Sequence, residues 1–89
     1  MKVSERRFPT TNDMRISAAR DVMELLEKKL AEKGDDAFIS QLEILGTITQ
    51  EYHEVEQAIH SKNDTQTRRE LLDLAAACIF SIASLDAMR

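Results

Sequence analysis

The chain has 89 residues, enough for one domain, and its 16 Asp and Glu outnumber its 12 Lys and Arg for a net charge of −4. This acidic balance lacks the basic surface that binds a polyanion, so we expect no DNA or RNA polymer as a partner. The single cysteine cannot form an internal disulfide, which is typical of a reducing compartment. No apolar run approaches the ~18 residues of a membrane span, and no signal-peptide core is present. We therefore expect a cytoplasmic protein without a membrane partner.

The N-terminal segment, residues 1–12, holds the only proline, Pro9, and shows no helical period. It predicts an arm that packs on the rest of the chain through Val3 and Phe8. Residues 13–89 then form a single helical domain.

Asn12 or Asp13 is predicted to be the N-cap of the first helix, because either side chain can cap a helix N-terminus. Gly34 is expected to end it, since glycine favours the residue that follows a helix. Between these limits apolar residues recur at helical spacing: Ala19, Val22, Met23, Leu26 and Leu30.

The second helix is predicted to be capped by Asp35 or Asp36. Its apolar stripe steps by three and four positions, close to a heptad seam, so we expect it in a core or a subunit interface. The stripe contains Phe38, Leu42, Leu45, Ile48, Tyr52, Val55 and Ile59. Gly46 interrupts this helix. It costs about 1 kcal/mol relative to Ala, or it permits close approach of a neighbouring helix.

The third helix is predicted to follow a break at residues 61–64, with Asp64 or Thr67 as its cap. Thr67 and Glu70 together fit a capping box. The run LLDLAAACIFSIASL that follows is apolar almost all round, and a helix of this kind is buried on most sides. We therefore expect it at a subunit interface, with Cys78 as a small buried residue.

Three helices with short connections predict an all-α fold, a three-helix antiparallel protomer that associates into a helical bundle. Aromatic residues make up 4% of the chain and Trp is absent, so the core is built from aliphatic side chains. A single core in a chain of this length is marginally stable. We therefore expect a homodimer or a homotetramer.

Two carboxylate pairs interrupt the most apolar helices, Glu51 with Glu54 and Glu70 with Asp73. Side chains three residues apart on a helix are neighbours, and Glu51 lies at the margin of the apolar arc. Glu56 points elsewhere and is expected at the surface. An acid near a core must be paired, hydrogen-bonded, protonated or bound to a metal. Four facing acids repel one another, which a divalent cation relieves, and oxygen ligands suit Mg²⁺ or Mn²⁺ rather than Zn²⁺.

A structural interpretation of the same acids stays open. Glutamate is common on amphipathic helices, and one E-x-x-E spacing identifies little. Glu70 in a first helical turn would favour the helix dipole and complete the capping box. His53, between Glu51 and Glu54, is either a partner of the metal ligands or a solvent-facing side chain.

Residues 47–80 also carry a resemblance to a known family. The string ITQEYHEVEQAIHSKNDTQTRRELLDLAAACI sets Glu51-x-x-Glu54 and Glu70-x-x-Asp73 apart by 15 residues and continues into an alanine run. It resembles the two motif helices of the MazG-like all-α nucleoside triphosphate pyrophosphohydrolases.

This resemblance implies an enzyme that cleaves a nucleoside or deoxynucleoside triphosphate between its α and β phosphates. The products are a monophosphate and pyrophosphate, and the role implied is nucleotide house-cleaning. It implies that Glu51, Glu54, Glu70 and Asp73 hold Mg²⁺, that one of these acids orients the attacking water, and that subunits pair to complete the site.

Two departures from the family pattern concern the substrate pocket. Members often have a further helix with basic or amide residues that contact phosphate, and here only a short stretch follows the second motif. Gln50 also replaces the usual acid before the first motif. The alternative function is a non-catalytic helical oligomer that binds nucleotide or metal or serves as a protein-interaction module. The residues that contact phosphate are left open among Arg6, Arg7, Lys28, Lys29, Lys62, Arg68 and Arg69.

Overall fold

A computed structural model describes residues 7–88 of the chain. They form three helices, α1 (Asn12–Lys33), α2 (Gln41–His60) and α3 (Asp64–Ala87), and no strand occurs among them. The predicted all-α fold is confirmed. The predictions that concern Val3 and Arg6 lie outside the described residues.

α1 begins one residue earlier than either predicted cap allows. Thr11 is the cap, because its backbone is extended and its hydroxyl accepts a hydrogen bond from the Met14 N–H at 3.1 Å. The prediction of Asn12 or Asp13 was therefore wrong. At the other end Gly34 follows the helix with a φ of 88°, as predicted for a residue in this position.

α2 begins later than predicted, so the assignment of its cap to Asp35 or Asp36 was wrong. Ser40 caps the helix by accepting a hydrogen bond from the Glu43 N–H at 3.3 Å. The Glu43 carboxylate in turn accepts a hydrogen bond from the Ile39 N–H at 2.8 Å. This reciprocal arrangement resembles a capping box and places the chain before Ser40 in a connection.

α3 is capped by Asn63, whose Oδ1 accepts a hydrogen bond from the Gln66 N–H at 3.0 Å. The predicted caps, Asp64 and Thr67, are therefore wrong and both lie inside the helix. This shift matters for Glu70, because it now lies in the second turn. The capping-box explanation of Glu70 no longer applies.

α3 is the central element, since α1 and α2 both pack against it. Only residues 61–63 connect α2 to α3, and the two helices pack against each other, so they form an antiparallel helical hairpin. The buried core lies between α1 and α3, where Val22 and Leu26 meet Ala76. Five half-buried apolar residues surround it: Leu25, Leu30, Leu72, Ala75 and Phe80.

The connection between α1 and α2 is fixed to α3 through Phe38. The Phe38 N–H donates a hydrogen bond to Ser84 Oγ at 3.1 Å, and Ser84 is fully buried. The Phe38 ring meets the Phe80 ring edge-on, with centroids 5.1 Å apart. These contacts place an aromatic pair between the ends of α1 and α3.

The predicted α2 stripe is only partly buried within the protomer. Val55 is buried, but Leu42 is 79% exposed, Leu45 61% and Tyr52 58%. We use the name α2 stripe below for the exposed members, Leu42, Leu45, Tyr52 and Ile59. No helix within residues 7–88 covers this apolar surface.

The predictions that Cys78 and Phe8 are buried were wrong within the protomer, and the structure favours one of the two alternatives for Gly46. Cys78 is exposed, because it lies on a face of α3 that neither α1 nor α2 covers. Within residues 7–88, no atom lies within 4 Å of the position that a Cβ at Gly46 would take, so the alternative of close approach by a helix in this part of the chain is not supported. Phe8 is 76% exposed, so most of its ring stays outside the core. Across residues 7–88, no helix is long and apolar enough to cross a membrane.

Candidate functional site

The four predicted acids come from the facing sides of α2 and α3. Glu51 and Glu54 lie on α2, Glu70 and Asp73 lie on α3, and all four are half-buried. The antiparallel course of the two helices sets one pair opposite the other. The charges of the other three acids all act on Glu51, so the four lie in the same part of the molecule, near where α2 packs against α3. We call them the acid cluster.

Glu51 has the least favourable surroundings of the four. Its Oε2 atom is buried and accepts no hydrogen bond from any group in residues 7–88. Burial raises the pKa of the Glu51 carboxyl above its usual value, and the negative charge of Glu54 raises it further, whereas Lys29 lowers it. A buried, unpaired carboxylate oxygen lowers the stability of the fold, and a hydrogen-bond donor or a cation at this atom would offset that loss.

Glu70 has a raised pKa for two main reasons. Burial disfavours its charge, and the neighbouring Asp73 carboxyl, which can share a hydrogen bond with Glu70 only if one of the two is protonated, favours the neutral form. The Gln66 amide acts in the opposite direction by donating a hydrogen bond to Glu70 Oε2 at 3.1 Å. Gln66 was missed in the sequence, although its position one turn before Glu70 could have indicated this contact.

One basic side chain enters the acid cluster. Lys29 Nζ lies 2.9 Å from Asp73 Oδ1, and both side chains are largely buried, with 32% and 22% exposed. Arg68 instead pairs with Asp21 at 2.6 Å, and Arg69 donates to Gln66 at 2.9 Å. Within residues 7–88, Lys29 is the only lysine or arginine that forms an ion pair with one of the four acids.

The other predicted acid on α2, Glu56, is exposed as expected. It lies 3.5 Å from His53, whose other ring nitrogen is 3.3 Å from the Gln57 amide. His53 is 64% exposed and faces solvent, so the structure supports the simpler of its two interpretations.

Two concavities flank the acid cluster along α3. The first, of about 350 Å³, lies between α1 and α2, and we call it the α1–α2 groove. Its lining includes Lys29, Lys33, Phe38, Thr47, Ala77 and Phe80. The second, of about 300 Å³, is a shallower hairpin depression at the turn between α2 and α3, and Glu54 and Glu70 line it. The aromatic pair and Thr47 were not recognised in the sequence as site residues.

The donor set of the acid cluster suits a hard divalent cation, because all its ligand atoms are carboxylate oxygens. The unpaired Glu51 oxygen fits such an ion, and Lys29 already supplies one positive charge at Asp73. Among residues 7–88, no three His, Cys, Asp or Glu side chains are already grouped so that they could hold a metal. The side chains would have to turn toward an ion to bind it.

No protein-family model matches the chain, and no curated protein and no solved structure is significantly similar to it. The resemblance of residues 47–80 to the MazG-like enzymes therefore remains a prediction. It depends on the acid pairs and the alanine run that carry it.

Proposed function

We propose that the protein is a Mg²⁺-dependent nucleoside triphosphate pyrophosphohydrolase, with Glu51, Glu54, Glu70 and Asp73 as metal ligands and catalytic groups. The reaction converts a nucleoside or deoxynucleoside triphosphate to the monophosphate and pyrophosphate. Its role is removal of unwanted nucleotides from the cytoplasm. The observation that carries the proposal is the buried Glu51 oxygen, unpaired among three further carboxylates.

The acid cluster is unfavourable unless it binds a cation. One ammonium faces four carboxylates, and burial together with mutual repulsion raises the pKa of two of them, Glu51 and Glu70. A purely structural arrangement would gain stability by replacing such acids with apolar or amide side chains. A ligand that supplies positive charge would stabilise these acids in their charged form.

Bound Mg²⁺, or Mn²⁺ in its place, would neutralise phosphate charge and lower the pKa of a coordinated water. The remaining tasks belong to side chains of this chain. Glu51 and Glu70 have pKa values raised toward neutrality, the direction that suits a carboxylate for orienting a water and accepting its proton. Gln66 holds Glu70 by its amide, which limits the orientations of that carboxylate.

The substrate fits the surface on both sides of the acid cluster. The α1–α2 groove falls in the ~300–1,000 Å³ range of small-molecule pockets and offers two phenyl rings with a few polar groups, which suits a base and sugar. Thr47 and Lys33 supply hydroxyl and ammonium groups along its wall. The hairpin depression beyond Glu54 and Glu70 has room for the departing pyrophosphate. A triphosphate chain that joins the two would cross the acid cluster.

The active form in this proposal is a homodimer or a homotetramer. Five apolar residues are buried in the part of the protomer that the structure describes, residues 7–88, whereas the α2 stripe presents large side chains to solvent. Exposed apolar surface on this scale indicates association. A second copy that covers the α2 stripe would also restrict the movement of α2 and therefore of Glu51 and Glu54.

A second candidate function is a non-catalytic oligomer that serves as an interaction module. The exposed α2 stripe favours it. This candidate predicts that the acids face solvent or pair with Arg68 or Arg69. Arg68 pairs with Asp21 and Arg69 with Gln66, while the acids stay half-buried. The unpaired Glu51 oxygen therefore has no explanation in this candidate and supports the enzyme.

Pyrophosphate release from a panel of ribonucleoside and deoxyribonucleoside triphosphates, with and without Mg²⁺, tests the proposal. We expect Mg²⁺-dependent turnover of at least one member of the panel. Asp73→Asn should abolish it, and Glu56→Gln, which removes an exposed acid from α2, should leave it unchanged. Absence of turnover with every nucleotide, together with absence of Mg²⁺ binding, would exclude the enzyme.

A further inference from the structure

Lys29 belongs to both the acid cluster and the α1–α2 groove. Its ammonium pairs with Asp73 at 2.9 Å and also acts on Glu51, since it lowers the pKa of that carboxyl. Its side chain at the same time forms part of the groove wall. The sequence offered seven basic residues as phosphate contacts, and Lys29 is the one that the fold places at this junction.

None of the neighbouring basic residues occupies this position. Arg68 is held by Asp21, and Arg69 is held by Gln66. Lys28, the residue before Lys29 on α1, is exposed and forms no ion pair within residues 7–88. Lys33 lines the same groove one helical turn further along. Lys29 is therefore the only cation in direct contact with the acids in residues 7–88.

We propose that Lys29 is the resident cation of the metal-free acid cluster and becomes a phosphate ligand when a divalent cation takes Asp73. This inference rests on the proposed function. An ammonium and a metal ion compete for the same Asp73 oxygen, and their like charges repel at that distance. The lysine stem is long and flexible, so the displaced ammonium can turn into the adjoining groove. A polyphosphate chain there offers the negative charge that replaces Asp73 as its partner.

This exchange links the binding of metal and polyphosphate. Without polyphosphate, Mg²⁺ must displace the ammonium from Asp73 and leave it without a counter-ion. With polyphosphate present, the displaced ammonium gains a new partner, so each ligand strengthens the binding of the other. Lys29 thus neutralises part of the charge of the acid cluster in the metal-free state, and the same side chain positions the substrate in the loaded state.

Isothermal titration calorimetry on Lys29→Met, with Mg²⁺ alone as the first probe, tests the exchange. Removal of the competing ammonium should make Mg²⁺ bind about five- to tenfold more tightly than to wild type. Inorganic tripolyphosphate, added at saturating Mg²⁺, should bind about tenfold more weakly, because its ammonium partner is lost. Tripolyphosphate carries no base, so this readout does not depend on which nucleotide is the substrate.

Lys28→Met is the matched control, because it removes the same charge from the preceding residue of the same helix. It should change neither the affinity for Mg²⁺ nor the affinity for tripolyphosphate. Lys29→Arg should restore tripolyphosphate binding. Lys29→Gln, which keeps a hydrogen-bond donor for Asp73, serves as second variant if Lys29→Met loses its helical circular dichroism. Unchanged or weaker Mg²⁺ binding by the Lys29 variants, or unchanged tripolyphosphate binding, would overturn the inference alone. Absence of Mg²⁺ binding by wild type would overturn the proposed function and this inference with it.

Discussion

Two faces of α2 differ in a way that reverses the usual pattern of an amphipathic helix. The face toward α3 carries acids at Glu51 and Glu54 beside the buried Val55 and Ala58. The neighbouring face carries the α2 stripe, whose large apolar side chains are exposed. Charge points inward and apolar surface points outward. Within residues 7–88, no group pairs with the buried Glu51 oxygen and no helix covers the α2 stripe. Under the proposed function, a cation would bind on the first face and a second copy of the chain on the other.

The comparison explains why the acids and the stripe occur on one helix. A buried acid pair destabilises the fold that carries it, and the small core leaves little stability to offset that cost. Association through the stripe would supply the missing apolar burial. The proposed site and the proposed interface therefore depend on each other energetically, although each can be disrupted by a separate substitution.

The largest expected effect comes from the inward face. Glu51→Gln keeps the shape of the side chain and removes the charge, so turnover should fall about 100-fold or more. The metal-free protein should become more stable, because a costly buried charge is gone. Pyrophosphate release and thermal unfolding measure the two effects. Glu51→Gln with unchanged activity, or with lower stability than wild type, would contradict the assignment of Glu51.

The outward face is tested by Leu45→Glu, which puts a charge in the middle of the α2 stripe. The dissociation constant of the oligomer should rise about 30-fold, which corresponds to the loss of ~2 kcal/mol of association free energy at an interface anchor. Light scattering coupled to size-exclusion chromatography measures the change. Gln50→Glu adds the same charge at an exposed polar position of α2 and should leave the oligomer intact. A wild-type protein that is monomeric at all concentrations would remove the stripe as an interface between copies.

A smaller effect is expected from pH. The folded-state pKa of Glu51 and Glu70 lies above the usual 4.5, so the folded protein binds more protons than the unfolded chain between 4.5 and the raised values. The free energy of unfolding contributed by these groups therefore falls as the pH rises through that window. The midpoint of thermal unfolding without metal should rise as the pH is lowered from 7 toward 5.

Two comparisons isolate this effect from that of the other titrating groups. The unfolding midpoint of Glu51→Gln should depend less steeply on pH over the same range, because one of the two groups with a raised pKa no longer titrates. Saturating Mg²⁺ should stabilise wild type more at pH 7 than at pH 5, where protons compete for the carboxylates. Parallel pH profiles for wild type and Glu51→Gln would show that burial of Glu51 does not contribute.

The smallest expected effect concerns Gly46, which lies within α2 before the acids. An added Cβ would meet no atom of the protomer, so Gly46→Ala should stabilise the helix by about 1 kcal/mol. Thermal unfolding and the oligomeric state are measured on the same sample. A loss of stability that accompanies dissociation would show instead that a second copy approaches Gly46 closely.

The sequence predicted the helical architecture but not the limits of the helices. The caps are Thr11, Ser40 and Asn63, and each lies in a stretch that offers other capping residues within five positions. The choice among such neighbours depends on which residue has extended backbone torsions, which spacing does not encode. The burial of Cys78 was also predicted wrongly. The spacing of apolar residues along a helix does not show which of its faces a neighbouring helix covers.

The candidate site shows a similar division. Acids at i, i+3 on two helices were sufficient to predict that Glu51, Glu54, Glu70 and Asp73 lie near one another, but within residues 7–88 they are not grouped closely enough to hold an ion without side-chain movement. Lys29 could not be selected from seven basic candidates, since its contact with Asp73 depends on how α1 packs across α3. The α1–α2 groove could not be predicted from the sequence either, because Phe38, in the connection between α1 and α2, forms part of its wall.

The central claim is that the acid cluster binds a divalent metal through Glu51. An electron paramagnetic resonance titration of Mn²⁺ tests it without knowledge of the substrate, because bound Mn²⁺ loses the sharp signal of the free ion. Wild type should deplete that signal, Mg²⁺ should restore it by competition, and Glu51→Gln should deplete it far less. A free-ion signal that wild type leaves unchanged, or that Glu51→Gln depletes equally, would contradict the account.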